Sequence, residues 1–481
     1  MSTLQTNKMT NWRWVICAML FLATTVNYMD RQVLSLTWKD FIAVDFHWTD
    51  SDYGTITGIF SIFYAIACLF AGKFIDWMGT KKGYLIAIFV WSTGACIHAG
   101  CGWLTMVIED IDSLETLRAI ESTSAVGLAV ASISVWLFLA CRMILALGEA
   151  GNFPAAIKVT AEYFPKKDRA FATSIFNAGA SVGALAAPAT IPLLARAWGW
   201  EMAFIIIGAL GYVWMGLWIF LYEKPHKSKH VNEAELNYVN QDVDNAEANS
   251  KEEEKTIGFL QCFTYRQTWA FIVGKFMTDG VWWFFLFWAP AYFSDQYGYA
   301  SDSTEAILLI STLYAICTIL SIGGGYLPKY FVEKKGMNPY AGRMRAMLIF
   351  AFFPIVALLA QPLGTYSAWW PAILIGLVGA GHQAWSANIF STVGDMFPKS
   401  TIGTITGIGS MAGGFGSLII NKGSGVLFDY AQGQGEAFQF MGFEGKPAGY
   451  MIIFCFCAVA YLIGWFIMKT LVPKYKPVVV K

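Results

Sequence analysis

Long apolar runs separated by short polar stretches dominate this chain. Six runs lie near residues 12–37, 53–75, 83–105, 134–162, 169–194 and 200–222, and six more lie near 266–293, 303–331, 344–362, 367–396, 401–428 and 448–472. A helix needs about 20 mainly apolar residues to cross a hydrocarbon layer of roughly 30 Å, and every run is near that size or longer. The pattern therefore predicts an all-α polytopic membrane protein with twelve transmembrane helices.

A polar linker divides the chain into two parts of similar size. The longest polar run, residues 223–258, is rich in Glu, Asn and Lys, which predicts a solvated segment with one surface helix. We expect an N-terminal six-helix half over residues 1–222, a cytoplasmic linker over 223–262 and a C-terminal six-helix half over 263–481.

The two halves share an internal repeat. FPKKDRAFATSIFNAGASVGA, from Phe164, and FPKSTIGTITGIGSMAGGFGS, from Phe397, both contain Phe-Pro-Lys and have a Thr and a Gly at common offsets. At the same offset upstream, Gly148-Glu149 corresponds to Gly381-His382. Such duplication predicts pseudo-symmetric halves with a binding site between them. The glycines of the repeat are expected to let helices pack closely.

Basic residues fall in alternate loops. They cluster near 8–13, 73–82, 166–169 and 224–229, which by the positive-inside rule places these loops and both termini in the cytoplasm. The opposite loops are acidic: residues 40–52 hold four Asp, and residues 106–123 hold five acidic residues against Arg118. We therefore predict a multi-pass protein of the cytoplasmic (inner) membrane, and we assign no function to the acidic outer loop 106–123.

Composition supports the membrane assignment and excludes several functions. Hydrophobic residues make up 56% of the 481 residues and charged residues only 14%, whereas about a quarter are charged in soluble proteins. Lys+Arg and Asp+Glu both number 33, so no nucleic-acid partner is expected, and nothing in the sequence points to an obligate protein partner. The nine cysteines form no C-x-x-C pair, the five histidines are scattered, and H-E-x-x-H and G-x-S-x-G are absent. We predict no metal, no cofactor and no enzymatic activity.

Charged residues inside the apolar runs are the first candidates for function. An ionised side chain near the bilayer centre costs about 2.5–3.5 kcal/mol on insertion scales, so it should face a cavity or a partner. Arg142 and Glu149 lie seven residues apart on one face of the fourth predicted helix, about 10 Å apart along its axis, and cannot pair directly. Asp30 and Arg31 of the first helix are the nearest candidate partners. A purely structural network of ion pairs is the alternative.

The second half carries its own polar groups. Lys275 and Asp279 share a face of the seventh helix, as a self-neutralising pair or as a contact to substrate or gate. The tenth helix has a polar stripe of His382, Gln383, Trp385 and Asn388. Arginine and lysine suit a carboxylate, and the hydroxyl, amide and ring groups suit the rest of a polar acid. The predicted substrate-binding set is Tyr28, Arg31, Tyr64, Arg142, Asn177, Lys275, Trp282, His382, Gln383 and Asn388, with Trp283 as a further ring surface.

Two carboxylates are candidates for coupling transport to an ion. Asp30 and Glu149 can be protonated when desolvated and ionised when close to arginine. Their protonation can therefore switch with substrate or with access, which proton coupling requires. Intramembrane carboxylates also serve sodium, so sodium coupling stays open.

Several motifs resemble a known family. GKFIDWMGTKK, with Gly72, Asp76, Gly79, Lys81 and Lys82, resembles the signature loop of the major facilitator superfamily, and a degraded copy follows at 328–336. NYMDRQVLS, GEAGNFPAAIK, GKFMTDGVWWFFLFWAP and HQAWSANIFSTVGDMFPK resemble the hexuronate transporters of its anion:cation symporter branch. The resemblance implies proton coupling through Asp30 and Glu149, carboxylate binding by Arg31 and Arg142, and a pocket lined by Tyr28 and Tyr64.

The resemblance also implies a mode of action. It predicts proton-coupled uptake of a hexuronate, such as glucuronate or galacturonate, by alternating access of the two halves. The partners are then a small sugar acid, a proton and the lipid bilayer. A symporter of another sugar acid (an aldonate or aldarate) or organic anion, a channel, and a solute sensor that does not transport remain the alternatives.

Overall fold

Helices account for nearly all of the chain that the structure describes. The structure is a computed structural model and describes residues 8–241, 257–321, 323–397 and 399–478. The long helices within these ranges are numbered in chain order. Helices 1 to 6 are Trp12–Thr37, Asp50–Met78, Thr80–Ile97, Ala125–Glu149, Lys166–Trp198 and Trp200–Leu221. Helices 7 to 12 are Arg266–Tyr297, Thr304–Ser321, Pro339–Ala351, Trp369–Met396, Lys399–Gln434 and Gly445–Leu471.

Shorter elements extend or connect these helices. Helix 3 continues through His98–Gly100 into Cys101–Ile108, helix 4 is followed by Asn152–Tyr163, and helix 8 by Gly323–Lys335. Helix 9 is followed by Phe353–Leu359 and Ala360–Gly364. The other short helices are Trp38–Ile42, Ala43–Phe46, Leu114–Ala119, Pro225–Lys227, Glu233–Asn240, Phe259–Cys262 and Gly435–Ala437. Between helices 11 and 12, strands Gln439–Phe440 and Phe443–Glu444 pair in an antiparallel hairpin.

Nine helical segments of the described chain are long and apolar enough to cross a membrane. The three long helices outside that group are helices 1, 10 and 11. Helices 1 and 10 contain the ionisable and polar residues singled out above, and helix 11 is rich in glycine and holds Asn421 and Lys422.

Several predicted boundaries differ from the structure, most of all the start of helix 4. Helix 4 begins at Ala125 rather than near residue 134, because the Ser124 side chain accepts a hydrogen bond from the backbone N–H of Gly127 at 3.0 Å and caps the helix. The acidic loop 106–123 is shorter than expected, since helix 3 runs on to Ile108 and Leu114–Ala119 is helical. Within that short helix, Arg118 donates to Asp45 at 2.7 Å.

Glycines of helices 5 and 11 bring helices together, as the repeat predicts. A Cβ on Gly183 would lie 2.5 Å from the carbonyl oxygen of Thr25 in helix 1. On Gly416 it would lie 2.1 Å from the carbonyl oxygen of Phe276 in helix 7. Close backbone approach of this kind is a main source of helix association in lipid.

The linker contributes the predicted short helix, Glu233–Asn240, but this helix packs against the membrane bundle. The buried carboxylate of Glu235 accepts hydrogen bonds from the backbone N–H groups of Trp12 and Arg13 at 3.0 and 3.1 Å, and it forms an ion pair with Arg13 at 3.2 Å. A carboxylate at this position satisfies the free N–H groups at the start of helix 1 and complements its dipole. The described portion of the linker is therefore anchored to the first half.

Candidate functional site

A buried ion pair joins helices 1 and 4. Arg31 donates from Nε and Nη2 to the same oxygen, Oε2 of Glu149, at 3.1 and 2.9 Å. Both residues are almost fully buried. Glu149 cannot pair with Arg142, which lies seven residues away on the same helix, so a partner from another helix was expected. That partner is Arg31 of helix 1.

Three aromatic rings surround the guanidinium of Arg31. Its Cζ lies 4.5 Å from the ring centre of Tyr64, 5.2 Å from that of Trp283 and 5.3 Å from that of Tyr28. These distances are in the range of favourable cation–π contacts. Because Trp283 comes from helix 7, the Arg31 site lies at the boundary between the two halves.

Arg142 is a buried cation with hydrogen-bonding capacity to spare. Its side chain is 1% exposed, and neither Nε nor Nη1 has a hydrogen-bond partner among the described residues. The ring of Phe60 lies 5.0 Å from its Cζ. An unpaired buried guanidinium is costly, so this group is poised to take an anion.

Asp30 is close to this cluster but is not paired with it. Both carboxylate oxygens are buried and have no hydrogen-bond partner in the described portion of the chain. Glu149 and Arg142 are the charged groups that act on it, and Trp91 of helix 3 lies beside it. Asp30 therefore faces the interior of the first half.

In the second half, Lys275 and Asp279 form the ion pair that their spacing suggested. Their Nζ and Oδ2 atoms lie 2.7 Å apart, and Nζ lies 4.3 Å from the ring centre of Phe390. Gly413 of helix 11 packs against this carboxylate, because a Cβ there would lie 2.2 Å from Oδ2. The pair is self-neutralising, so Lys275 carries less free charge than Arg142.

His382 is the centre of a second polar cluster. Its ring stacks on Trp282 with centroids 5.2 Å apart and planes at 2°, and its Nδ1 lies 2.7 Å from the hydroxyl of Tyr461. Tyr461 in turn donates to the carbonyl oxygen of Thr278 at 3.2 Å. Helices 7, 10 and 12 thus fix the orientation of one imidazole.

The remaining predicted residues have varied positions. Asn388 is buried and donates to the carbonyl oxygen of Ala384 in its own helix at 2.8 Å. Gln383 is half-buried, and Trp385 is fully buried. Asn177 is an exposed residue of helix 5.

The two clusters are related by the internal repeat. A Cβ on Gly148 would lie 2.3 Å from the backbone nitrogen of Trp91, so helix 4 touches helix 3 there. A Cβ on Gly381 would lie 2.6 Å from Cβ of Phe353, so helix 10 packs equally closely on the segment after helix 9. Glu149, which follows Gly148, binds Arg31 of helix 1. His382, which follows Gly381, stacks on Trp282 of helix 7, the counterpart of helix 1.

The signature loop forms the turn between helices 2 and 3. Gly79 has φ +78°, a conformation that favours glycine, and Lys81 forms an ion pair with Glu223 at the start of the linker. Lys82 is exposed, and Gly72 has open space around it. The side chain of Asp76 lies outside the described residues.

Trp283, predicted only as a further ring surface, packs on the guanidinium of Arg31. It lies four residues after Asp279 and eight after Lys275, on the helix face that these residues define. That spacing could have placed Trp283, rather than Trp282 alone, in the predicted set. Phe60 lies four residues before Tyr64 on the same helix face, so the same spacing could have placed it beside the site.

Four charged residues join the halves at the end of the bundle away from the termini, and we call them the outer latch after the orientation that the basic loops predict. Lys39 lies 3.3 Å from Asp50 and 3.0 Å from Asp295. Lys446 lies 2.5 Å from Asp50 and 2.6 Å from Asp295. Each carboxylate therefore binds both lysines, and one residue of each sign comes from each half.

Comparison with known proteins gives the family. The model of the Major Facilitator Superfamily matches residues 20–420. The hexuronate transporter of Escherichia coli K12 is 26% identical over 425 residues, which cover 88% of this chain and 89% of that protein. The probable galactarate/D-glucarate transporter of the same strain is 24% identical over 438 residues and covers 89% and 91%. These relatives confirm the similarity that the motifs predicted.

A solved structure has the same fold. The bacterial homologue of the human lysosomal transporter Spinster, in an inward-facing and occupied conformation, superposes with a TM-score of 0.67 at 17% identity, covering 97% of this chain and 99% of that one. The predicted fold is thereby confirmed, and the chain is a multi-pass membrane transporter rather than an enzyme. Because the family model matches most of its length, the chain belongs to the major facilitator superfamily.

Proposed function

We propose that this transporter carries a hexuronate, such as glucuronate or galacturonate, into the cell together with a proton, by alternating access of its two halves. The observation that carries the proposal is Arg142, a buried guanidinium with two unpartnered nitrogens in the described portion of the chain. It lies on the same helix as Glu149, which is paired with Arg31. Arg31 is thus hydrogen-bonded to a carboxylate, whereas two nitrogens of Arg142 are not.

Arg142 supplies the carboxylate subsite. A guanidinium binds a carboxylate through two parallel hydrogen bonds, and burial strengthens them. The substrate carboxylate would give the unpartnered nitrogens of Arg142 charge-assisted hydrogen bonds, which favours anions over neutral sugars.

Charge balance explains why a proton accompanies the anion. With Asp30, Arg31, Arg142 and Glu149 all ionised, the cluster has no net charge. A bound carboxylate adds one negative charge in a low-dielectric site, and one proton on Asp30 or Glu149 restores neutrality. Moving a neutral loaded site through the membrane avoids the cost of moving a charged one.

The second half is suited to the hydroxyl-bearing part of the substrate. His382, with its ring fixed by Trp282 and Tyr461, offers a polar edge. We propose that the aromatic rings of Tyr28, Tyr64 and Trp283 contact the sugar ring. Secondary polar contacts come from Lys275, Gln383, Asn388 and Asn177. The hexuronate transporter of Escherichia coli supports a uronate as the substrate class.

The outer latch gives the proposed cycle its starting state. With the loops richest in Lys and Arg placed in the cytoplasm, the latch lies at the outer face of the membrane. Its ion pairs then hold the halves together on the outside. Uptake requires the latch to open so that the substrate can reach Arg142.

A galactarate or glucarate symporter is the second candidate, favoured by the relative of that name. A dicarboxylate would need a second cation, and Lys275 is a buried amine of the other half. Lys275 is already paired with Asp279 at 2.7 Å, which makes the monocarboxylate the better match.

Uptake into proteoliposomes tests the proposal. Radiolabelled glucuronate, galacturonate and galactarate are each offered under an inward proton gradient, under an inward sodium gradient, and with an uncoupler. We expect uptake of a hexuronate that the uncoupler removes, and none with Arg142→Ala. Uptake driven by sodium or confined to galactarate would contradict the proposal, and binding without flux would identify a sensor.

A further inference from the structure

Buried polar residues continue from Asp30 toward the end of the bundle that carries the termini. Thr24, Asn27 and Asp30 follow one another at three-residue spacing in helix 1, and none is more than 1% exposed. This spacing places neighbouring side chains on the same side of a helix, about 5–6 Å apart at Cβ. The six-residue step from Asp30 to Thr24 covers about 9 Å of the helix axis.

Side chains from two other segments extend this row. Tyr84 of helix 3 donates to Oδ1 of Asn152 at 2.7 Å, and Nδ2 of Asn152 donates to Oγ1 of Thr24 at 3.5 Å. All three side chains are buried. One turn before Tyr84, Thr80 donates to Oε1 of Glu162 at 2.6 Å. Glu162 is half-buried and brings the row to the edge of the protein.

The end of the row at Asn27 and Asp30 has strong hydrogen-bonding groups that lack close partners among the described residues. Both polar atoms of the Asn27 side chain are buried and unpaired among the described residues, and the buried carboxylate of Asp30 has only the indole N–H of Trp91 as a nearby donor, in no close hydrogen bond. Leaving such groups unsatisfied costs roughly 1–3 kcal/mol each. Buried water is the usual partner of such groups where several of them share one polar site.

A structural explanation covers only some of the row. Hydrogen bonds between helices, such as those of Asn152 to Thr24 and Tyr84, stabilise membrane bundles. Asn27 makes no such bond in the described residues, and Asp30 has only the nearby indole N–H of Trp91, so neither contributes comparable stabilisation. Structural stabilisation therefore leaves the polar groups of Asn27 and Asp30 unexplained.

We propose that Asp30, Asn27, Thr24, Asn152, Tyr84, Thr80 and Glu162, which we call the polar file, hold a chain of water molecules. Through it a proton passes between Asp30 and the solvent on the side of the termini, inside the first half and apart from the substrate pathway. The inference rests on the proposed proton coupling. Asn27 is a positioning residue that orients water beside Asp30.

The proton balance of this path is simple. The acid of Asp30 gives its proton to the adjacent water, each water passes one proton onward, and the carboxylate of Glu162 takes the last before releasing it to bulk solvent. The amides and hydroxyls keep their own protons. The charged groups that act on Asp30 are Glu149 and Arg142 of helix 4, and Trp91 and Cys96 of helix 3 lie beside it.

Asn27→Leu tests the file, because leucine has nearly the size of asparagine and no hydrogen-bonding group. In proteoliposomes we expect proton-driven glucuronate accumulation to fall at least ten-fold. Exchange of glucuronate at equal pH, which needs no net proton movement, should stay within two-fold of the parent. Thr37→Val is the matched control, since Thr37 is buried in the same helix and donates to Val33 of that helix. Asn27→Ser should restore some of the accumulation.

A second measurement does not depend on transport. The infrared carboxyl band of Asp30, identified by its loss in Asp30→Asn, should exchange with deuterium at least ten-fold more slowly in Asn27→Leu than in the parent. Thr24→Val replaces Asn27→Leu if the latter fails to fold. Parent-like accumulation and parent-like exchange in the variant would overturn the file, as would the absence of the Asp30 band at every pH. If a sodium gradient rather than a proton gradient drove accumulation by the parent protein, the proposed proton coupling would be wrong. The rate of deuterium exchange at Asp30 would still show whether water occupies the polar file.

Discussion

Arg31 holds Glu149 by one oxygen only. Its Nε and Nη2 both donate to Oε2 of Glu149, and Oε1 is buried without a hydrogen-bond partner in the described chain. A proton can therefore bind Oε1 without a competing donor. Protonation would neutralise the carboxyl and weaken its hold on Arg31, which links the proton to the guanidinium nearest the boundary of the halves.

Glu149→Gln should uncouple transport from the proton. Glutamine keeps the shape of the side chain and the acceptor for Arg31, but it cannot ionise. We expect proton-driven accumulation of glucuronate to be lost while exchange at equal pH persists within a few-fold of the parent. Glu121→Gln, at an exposed position of the outer loop, is the control and should accumulate normally. A Glu149→Gln protein that still concentrates substrate would rule out this role.

Arg142→Lys should weaken substrate binding although the charge is kept. A lysine offers a point charge in place of the planar fork that binds both oxygens of a carboxylate. Hydrogen bonds to charged groups contribute about 1.5–3 kcal/mol, so losing one raises the dissociation constant about 10- to 100-fold. Equilibrium binding of glucuronate to purified protein measures this. Arg118→Lys, in the outer loop, should bind like the parent, and an unchanged Arg142→Lys protein would place the carboxylate elsewhere.

Asp295→Asn should open the outer latch. Asp295 binds both Lys39 and Lys446, so its neutralisation leaves two lysines to share Asp50. Spin labels at the exposed positions 44 and 441 report the distance between the halves at that end. We expect a new population at longer distance.

The control for the latch is Arg118→Ala, which removes an ion pair within the first half. Its distance distribution should match that of the parent. If Asp295→Asn gave the parental distribution as well, the four charges would not be holding the outer end closed.

Gly148→Ala should destabilise the first half. The added methyl group would meet the backbone of helix 3 at 2.3 Å, so helices 3 and 4 would have to separate next to Glu149. Overpacking of this kind costs about 1–3 kcal/mol. Thermal unfolding in detergent should occur several degrees lower. Gly72→Ala, where no atom lies within 4 Å of the added Cβ, is the matched control, and equal losses in both variants would contradict the packing argument.

The helical architecture was predictable because the length of an apolar run is set by the thickness of the bilayer. The ends of the helices were not, since they depend on local groups such as the Ser124 cap, which begins helix 4 nine residues before the predicted start. The packing of the linker also escaped prediction. The composition of residues 223–258 indicates solvation, whereas the contact of Glu235 with helix 1 depends on tertiary structure.

The charged residues of the site were predictable because ions are rare in apolar helices, and spacing alone showed that Glu149 needed a partner from another helix. Trp283 illustrates the limit of this reasoning. One residue along a helix turns a side chain by about 100°, which separates Trp283 beside Arg31 from Trp282 beside His382. The outer latch could not be predicted, since its residues come from four helix ends far apart in the sequence.

Simultaneous recording of glucuronate and proton movement tests the central claim most directly. Proteoliposomes with equal pH on both sides receive an inward gradient of glucuronate, and a pH-sensitive dye reports the lumen. The account predicts that glucuronate entry acidifies the lumen in the parent and fails to do so in Glu149→Gln. Glucuronate entry without a pH change in the parent, or no entry at all, would contradict it.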